Sequence, residues 1–354
     1  MRAIQMKGIK QLELVEVKKP VPKSDEVLMK IMAVGVCGSD IPRILKFGAH
    51  VLPIIPGHEF AGEIVQVGKN VEGWKVGDHA SAAPLIPCNK CEWCKQGIYS
   101  LCEDYKYYGS RNDGAFAEYL AVKANNLVRI KKTTPFEWGA TIDPAANALH
   151  AYFRAKGTKK DTVAVFGLGA IGLFAIQYAK HLGIQTIIAV DINDDKLKCA
   201  KECGATYTVN SIKKDPVEDI LKVTKGKGVT LTFDMAGLAV TEHQAILSTA
   251  KMGRCVFLGI SHDGLNLSAK AVDQILRYQL AILGSWNSFS NPFPGKEWTE
   301  AAKLMDSKAL DPSLIISHRL PLEDVPDTFK KIDKKEIVFN KIMFFPNGFP
   351  ENKK

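Results

Sequence analysis

The sequence predicts an α/β protein of two domains, one an antiparallel, barrel-like sheet and the other a doubly wound parallel sheet. Three observations carry this reading. At 354 residues the chain exceeds what a single hydrophobic core usually organises. Its N-terminal part alternates apolar and polar residues between glycine-marked turns, as in LELVEV, EVLMKIMAVGV and FAGEIVQV. From Asp161 the texture changes to short, wholly apolar runs separated by helical stretches, the pattern of strands buried on both faces.

Composition bounds the function. With 46% apolar and 24% charged residues and a mean hydropathy near zero, the chain is globular rather than disordered. The N-terminal MRAIQMKGIKQLELVEVKKP has no hydrophobic run of signal-peptide length, and no stretch approaches a membrane span. A cytoplasmic location follows as the expectation, with no membrane partner, and in that reducing compartment clustered cysteines bind metal rather than pair. The net charge of +9 suits an anionic partner. The lysines are dispersed in pairs such as Lys18-Lys19 and Lys213-Lys214, however, which fits a solvated face better than a nucleic-acid groove.

After the first strands comes Cys37, in VGVCGSD, and about twenty residues later His58 and Glu59, in PGHEF. A thiol, an imidazole and a carboxylate are ligand types that Zn²⁺ accepts, and three protein ligands leave a fourth position open, as a catalytic site requires. Asp40 is spaced to accept the second ring N–H of His58 and fix its tautomer. Ser39 offers a hydroxyl for passing a proton to solvent. Gly57, before His58, gives the backbone freedom at the approach.

Cys88, Cys91, Cys94 and Cys102 follow as C-x2-C-x2-C-x7-C. Four thiolates on one short loop close a tetrahedral structural zinc site with no open position. A nucleic-acid-binding zinc ribbon would instead bring two C-x2-C knuckles from separate hairpins, and no nucleic-acid partner is expected.

At Asp161 the second domain begins. The strand Thr162 to Phe166 runs into Gly167-Leu168-Gly169-Ala170-Ile171-Gly172, then a helix (LFAIQYAKHLG) and a second strand (TIIAVD) ending at Asp191. This order is the dinucleotide-binding, Rossmann arrangement: the glycines let the backbone approach a pyrophosphate, the helix N-terminus supplies N–H groups, and Asp191 accepts from the ribose hydroxyls. A carboxylate at Asp191 repels a 2′-phosphate, so NAD is expected over NADP. Further βα units continue through ATYTVN, VTLTFDMAG, RCVFLGI and LAILGSW, and Cys199, Cys203 and Cys255 read as packing residues.

The C-G-S-D at Cys37 to Asp40, with G-H-E at Gly57 to Glu59, resembles the medium-chain, zinc-dependent alcohol and polyol dehydrogenases. The cysteine lobe and the glycine motif match that family too. The resemblance implies a GroES-like catalytic domain at 1–147 with its zinc lobe at 87–103, a Rossmann domain at 148–287, and a return to the catalytic domain at 288–354. It places the active site in the cleft between them and implies two zinc ions per subunit, one catalytic and one structural, together with NAD. It further implies a homodimer or homotetramer. Polyol members carry a glutamate where Asp143 stands, so Asp143 is expected near the catalytic zinc through a water. Lys196, in DINDDK, resembles the lysine that reaches the adenosine ribose.

Within the family, C-G-S-D-x-P-R-I around Cys37, G-A-H at Gly48 to His50, DYKYYGSRNDG, and GSWNSFSNPFPGKEW from Gly284 resemble the sugar-alcohol-phosphate dehydrogenases. The implied reaction is oxidation of a secondary hydroxyl of a galactitol 1-phosphate-like polyol to the keto sugar phosphate. Ser39, Asp40 and His50 are its candidate catalytic residues. Arg43, where sorbitol-type relatives carry a tyrosine, is a candidate for bidentate phosphate binding, or else makes a structural salt bridge. Phe116, Trp286 and Lys296 complete the substrate candidates, with His50 a further phosphate candidate. Alternatives are an unphosphorylated sorbitol- or L-iditol-like polyol, another secondary alcohol, or a pentitol phosphate such as arabitol or ribitol phosphate. From another class, a basic zinc-ribbon nucleic-acid binder remains, against which the intact glycine motif argues.

Overall fold

A computed structural model describes residues 1–261 and 264–349. The chain divides into two compact units, Met1–Asp143 with Ser288–Lys308 and Ile316–Lys354, and Pro144–Asn287 with Ala309–Ile315.

In the first unit the long strand Glu26–Gly35 is the hub, pairing antiparallel with Glu59–Val67, Tyr119–Lys123 and Lys341–Phe345. The sheet has seven strands, with His79–Ala82 and Leu127–Arg129 at one end and Ile316–Pro321 at the other. One departure from the expected antiparallel pattern is that Ile316–Pro321 runs parallel to Lys341–Phe345, because the helix Val325–Asp333 carries the chain back between them. The alternation read from the sequence turns one face inward. Ile4, Met29, Ile31, Phe60, Phe116 and Phe344 are all at most 1% exposed. Each such large side chain contributes about 1.5–3 kcal/mol relative to exposure.

The second unit is a six-stranded parallel sheet in the order Tyr207–Asn210, Thr186–Asp191, Thr162–Phe166, Val229–Asp234, Thr249–Phe257, Ala281–Gly284. In chain order this is 3-2-1-4-5-6, the doubly wound arrangement whose ligand crevice lies at the carboxyl ends of the strands where the order reverses. Val163 to Phe166 are fully buried, as a strand covered on both faces requires. The helix Asp194–Cys203 is set by its ends: Asn193 accepts from the N–H groups of Asp195 and Lys196, and Gly204 closes it at φ 119°.

The sequence reading returned all of 288–354 to the first unit, yet residues 309–315 belong to the second. Gln177 holds them there, donating to the Asp311 carbonyl at 3.0 Å and accepting from its N–H at 2.6 Å, while the Cys199 thiol donates to the Leu314 carbonyl. The first division falls in the opening turn of the helix Ile142–Ala155, slightly before the expected 147.

Candidate active site

Cys37, His58 and Glu59 come together because two strand ends do. Gly35 pairs with Glu59 across the Glu26–Gly35 and Glu59–Val67 ladder, and Cys37 follows two residues on. The three ligand atoms lie within 4.8 Å of one another, a thiol, an imidazole and a carboxylate around one point. This donor set fits a zinc ion with an open position. Two glycines make the approach possible. A Cβ at Gly35 would lie 2.7 Å from Glu59 Oε2, and one at Gly57, where φ is +92°, would lie 2.8 Å from the Phe116 ring.

Asp40 is the clamp of the site. Fully buried, it accepts from the Cys37 N–H at 3.1 Å and from Arg43 Nη1 at 2.8 Å, and its Oδ1 lies 3.2 Å from His58 Nδ1. That leaves His58 Nε2 for a cation. Burial alone would raise the Asp40 carboxyl, but His58, Arg43 and the Cys37 N–H hold it below the ordinary carboxylate range. Burial likewise opposes a charge on His58, and Asp40 and Cys37 more than reverse this, raising it well above the usual histidine value. Ser39 Oγ donates to Cys37 Sγ at 3.4 Å.

Three contributors to this site were missed in the sequence. Lys341 donates to Glu59 Oε2 at 2.5 Å and to the Val36 carbonyl at 2.9 Å from a buried position. A lysine opening the apolar run KIMFFP was its only signal. Tyr107 lays its ring edge-on to His58 at 5.6 Å, and burial, reinforced by Asp143 and Cys37, raises its phenol well above the ordinary value. Arg111, in the same loop, stacks over Tyr105 with its Cζ 4.7 Å from the ring centroid.

The remaining candidates divide. Asp143 is buried in the first turn of Ile142–Ala155 and its charge acts on Tyr107 and Lys341, although the ligand-distance group comprises only Cys37, His58 and Glu59. Arg43 takes the salt bridge to Asp40. His50 is exposed, and burial, Arg111 and Arg43 together lower its pKa. Phe116 is not a substrate residue: it is fully buried in the barrel core, edge-on to Phe329 at 6.5 Å and Phe344 at 5.7 Å. Trp286 is 48% exposed just beyond the strand Ala281–Gly284 of the second unit. Lys296 is exposed at the start of the helix Lys296–Asp306.

The run containing Lys296 anchors the cysteine lobe. Ser100 and Phe289 exchange hydrogen bonds of 3.3 and 3.0 Å, Tyr99 meets Phe293 edge-on at 5.2 Å, and Phe289 stacks on Trp298 at 5.8 Å. In the lobe, Cys88, Cys91, Cys94 and Cys102 place their sulfurs within 4.8 Å of one another, the geometry of a closed four-thiolate zinc site. The N–H groups of Lys90 and Cys91 donate to Cys88 Sγ, at 3.5 and 3.4 Å, and lower that thiol to about 6.

In the second unit the glycine motif has the shape its spacing predicts. A Cβ at Gly167, where φ is +91°, would meet Ala236 N at 2.8 Å, and one at Gly172 would meet the Gly167 carbonyl at 2.1 Å. Gly169 differs, since a Cβ there would meet nothing within 4 Å. It also begins the helix Ala170–His181 without a side-chain cap, so the first-turn N–H groups have no capping partner there, a cradle that fits a pyrophosphate. Asp191 accepts from the N–H groups of Leu168 and Asn193 at 2.8 and 3.0 Å, which fixes its carboxylate at the strand end. Lys196 lies in the first turn of the adjoining helix.

Residues 23–132 match the alcohol dehydrogenase GroES-like domain, and residues 170–307 the zinc-binding dehydrogenase domain. The chain is 37% identical over 324 residues to galactitol 1-phosphate 5-dehydrogenase of Escherichia coli K12, covering 91% of this chain and 93% of that protein. It is 31% identical to sorbitol dehydrogenase of Bacillus subtilis over 353 residues, 98% of each chain. The crystal structure of the E. coli galactitol-1-phosphate dehydrogenase superposes with a TM-score of 0.93 at 36% identity, over 98% of this chain and 100% of that one. A zinc-binding dehydrogenase of Sinorhizobium meliloti 1021 bound to NADP follows with a TM-score of 0.89 at 30% identity, over 98% and 99%. No helix among the described residues is long and apolar enough to cross a membrane. Two matched domains and a relative aligned over nine-tenths of the chain agree with the metal and nucleotide geometry, and the chain belongs to the zinc-dependent medium-chain alcohol and polyol dehydrogenases.

Proposed function

We propose that the protein oxidises a secondary hydroxyl of a phosphorylated sugar alcohol, of the galactitol 1-phosphate kind, to the keto sugar phosphate with NAD. The observation that carries the chemistry is the Cys37, His58 and Glu59 donor set, oriented by Asp40. A zinc ion held by Cys37, His58 and Glu59 would supply Lewis acidity toward a substrate hydroxyl, and a nicotinamide bound at the glycine motif would supply the hydride acceptor. The chain's own part is to hold charge and move a proton. Asp40 fixes the His58 tautomer, Lys341 orients the Glu59 carboxylate, and Ser39, in contact with Cys37, starts the proton path to solvent. A second zinc in the Cys88 lobe is structural. The relative active on galactitol 1-phosphate supports the phosphorylated substrate.

NAD rather than NADP rests on Asp191, whose carboxylate is held at the strand end by the Leu168 N–H of the glycine motif and would repel a 2′-phosphate. The second reading, an unphosphorylated polyol, is favoured by the sorbitol dehydrogenase relative. Steady-state rates on a panel of plain and phosphorylated hexitols and pentitols, each with NAD and NADP, decide between these. Turnover on sorbitol equal to that on galactitol 1-phosphate would support the second reading, and a preference for NADP would overturn the cofactor assignment.

The assembly we propose is a homodimer, alone or paired into a tetramer, built on the edge strand Ala281–Gly284. That edge carries exposed Ile282 and Trp286, and the neighbouring helix Ala269–Arg277 exposes Val272 and Leu276. A second copy of the same strand would satisfy the open backbone groups and cover the apolar side chains. Light scattering that gives a monomer at micromolar concentration would contradict it.

A further inference from the structure

The substrate candidates read from the sequence left the phosphate to Arg43, and the structure gives Arg43 other work at Asp40. Another cation stands in the same neighbourhood with no such employment. Among the described residues Arg111 makes no ion pair, and its Nε is buried without a hydrogen-bond partner. A guanidinium N–H taken out of water and left without an acceptor is costly, and an acceptor brought by a bound ligand would complete its bonding.

The position of Arg111 is tied to the metal ligands through one residue. Its N–H and that of Asn112 both donate to the Tyr107 carbonyl, at 2.9 and 3.0 Å, closing a tight turn. The ring of this same Tyr107 lies against His58. Tyr105 then bridges outward, edge-on to Tyr107 at 6.2 Å and under the Arg111 guanidinium at 4.7 Å. Stacking on Tyr105 restrains the guanidinium, a fork of N–H donors whose shape suits a phosphate. The nearby carboxylates are occupied elsewhere: Asp113 accepts from the Ile55 N–H at 3.0 Å, and Asp104 lies 3.7 Å from Lys90. Burial, and then the charges of Arg111 and Arg43, lower the His50 pKa, so His50 lies within the field of both arginines. Arg43 has its counter-charge in Asp40, and Arg111 is the cation here without one, which favours an anionic ligand at Arg111.

We propose that Arg111, flanked by His50 and Arg43, binds the substrate's phosphate. Because two aromatic rings stand between Arg111 and the ligand His58, the preferred substrate carries its phosphate on a terminal carbon remote from the reacting hydroxyl. This rests on the dehydrogenase reading above and names the part of the site that sets the substrate class.

The test compares galactitol 1-phosphate with galactitol in the zinc-loaded enzyme and in Arg111→Ala, Arg111→Lys and His50→Gln, alongside calorimetric titration with inorganic phosphate. Arg111→Ala is expected to raise KM for the phosphate ester roughly 10- to 100-fold more than KM for galactitol, the scale of charge-assisted hydrogen bonds. Arg111→Lys should recover part of the loss, His50→Gln should give a smaller one, and inorganic phosphate binding should vanish in Arg111→Ala. An unchanged ratio of the two KM values, with phosphate still bound, would overturn the assignment. If neither galactitol nor its phosphate is oxidised, the galactitol 1-phosphate reading of the substrate fails, and the phosphate titration still reads the subsite. Should Arg111→Ala not fold, as judged by its melting curve, Arg111→Lys carries the comparison, since it keeps the charge and loses the fork.

Discussion

Lys341 Nζ and Glu59 Oε2 form an ion pair of 2.5 Å that is almost wholly buried, with side-chain exposures of 3% and 2%. Burial alone would discharge the lysine, and Glu59 and Cys37 instead raise its pKa above the ordinary value. The pair neutralises the carboxylate that belongs to the metal group and fixes one of its oxygens. Removing one partner of a buried pair costs about 3–5 kcal/mol, because the other charge is left without compensation. Lys341→Met should therefore lower the melting temperature of the metal-free protein, and added zinc should restore part of the loss. A metal-free melting curve matching the wild type would contradict this.

Cys37→Ser replaces the soft ligand of the open site with a nearly isosteric side chain. Turnover should disappear, the melting curve should remain near that of the parent, and zinc content should fall toward one ion per chain. Retained activity would remove Cys37 from the mechanism.

Cys91→Ser acts on the other metal group. Its lobe is joined to the returning segment through Ser100 and Phe289, so losing the ion should loosen that contact and lower thermal stability, with Cys37 and His58 still holding zinc. Full zinc content and unchanged stability would contradict a structural role.

Asp191→Gly removes both the repulsion of a 2′-phosphate and two backbone contacts. KM should rise for NAD, and the ratio of kcat/KM for NAD over NADP should fall by about tenfold or more, the factor that about 1.4 kcal/mol provides. A ratio that does not move would place cofactor selection elsewhere.

The parts of the molecule legible in the sequence were those encoded locally. The apolar run at Thr162 to Phe166 with its glycines, and the four cysteines on one loop, each carry their geometry in their spacing. Cys37 and His58 were legible because each ligand type is rare and their neighbours, Asp40 and Gly57, supported the reading. Lys341 was not, since its pairing with Glu59 spans 282 residues and only strand register brings them together. Arg111 was hidden for a related reason: its role depends on a turn closed on the Tyr107 carbonyl and on ring contacts that spacing does not show. Phe116 misled in the opposite direction, because an aromatic in a glycine-rich loop reads equally as a pocket wall and as the core residue it is. Residues 309–315 were assigned to the wrong unit because the contacts of Gln177 and Cys199 that hold them have no counterpart in local pattern.

The proposed chemistry needs a cation with an open coordination position among Cys37, His58 and Glu59. Anomalous diffraction at the zinc edge from crystals of the zinc-loaded protein tests it most directly. A peak is expected about 2.3 Å from Cys37 Sγ and about 2.0–2.1 Å from His58 Nε2, beside a second among the four lobe cysteines. A map with density in the lobe alone, or with the other ion away from Cys37 and His58, would contradict it.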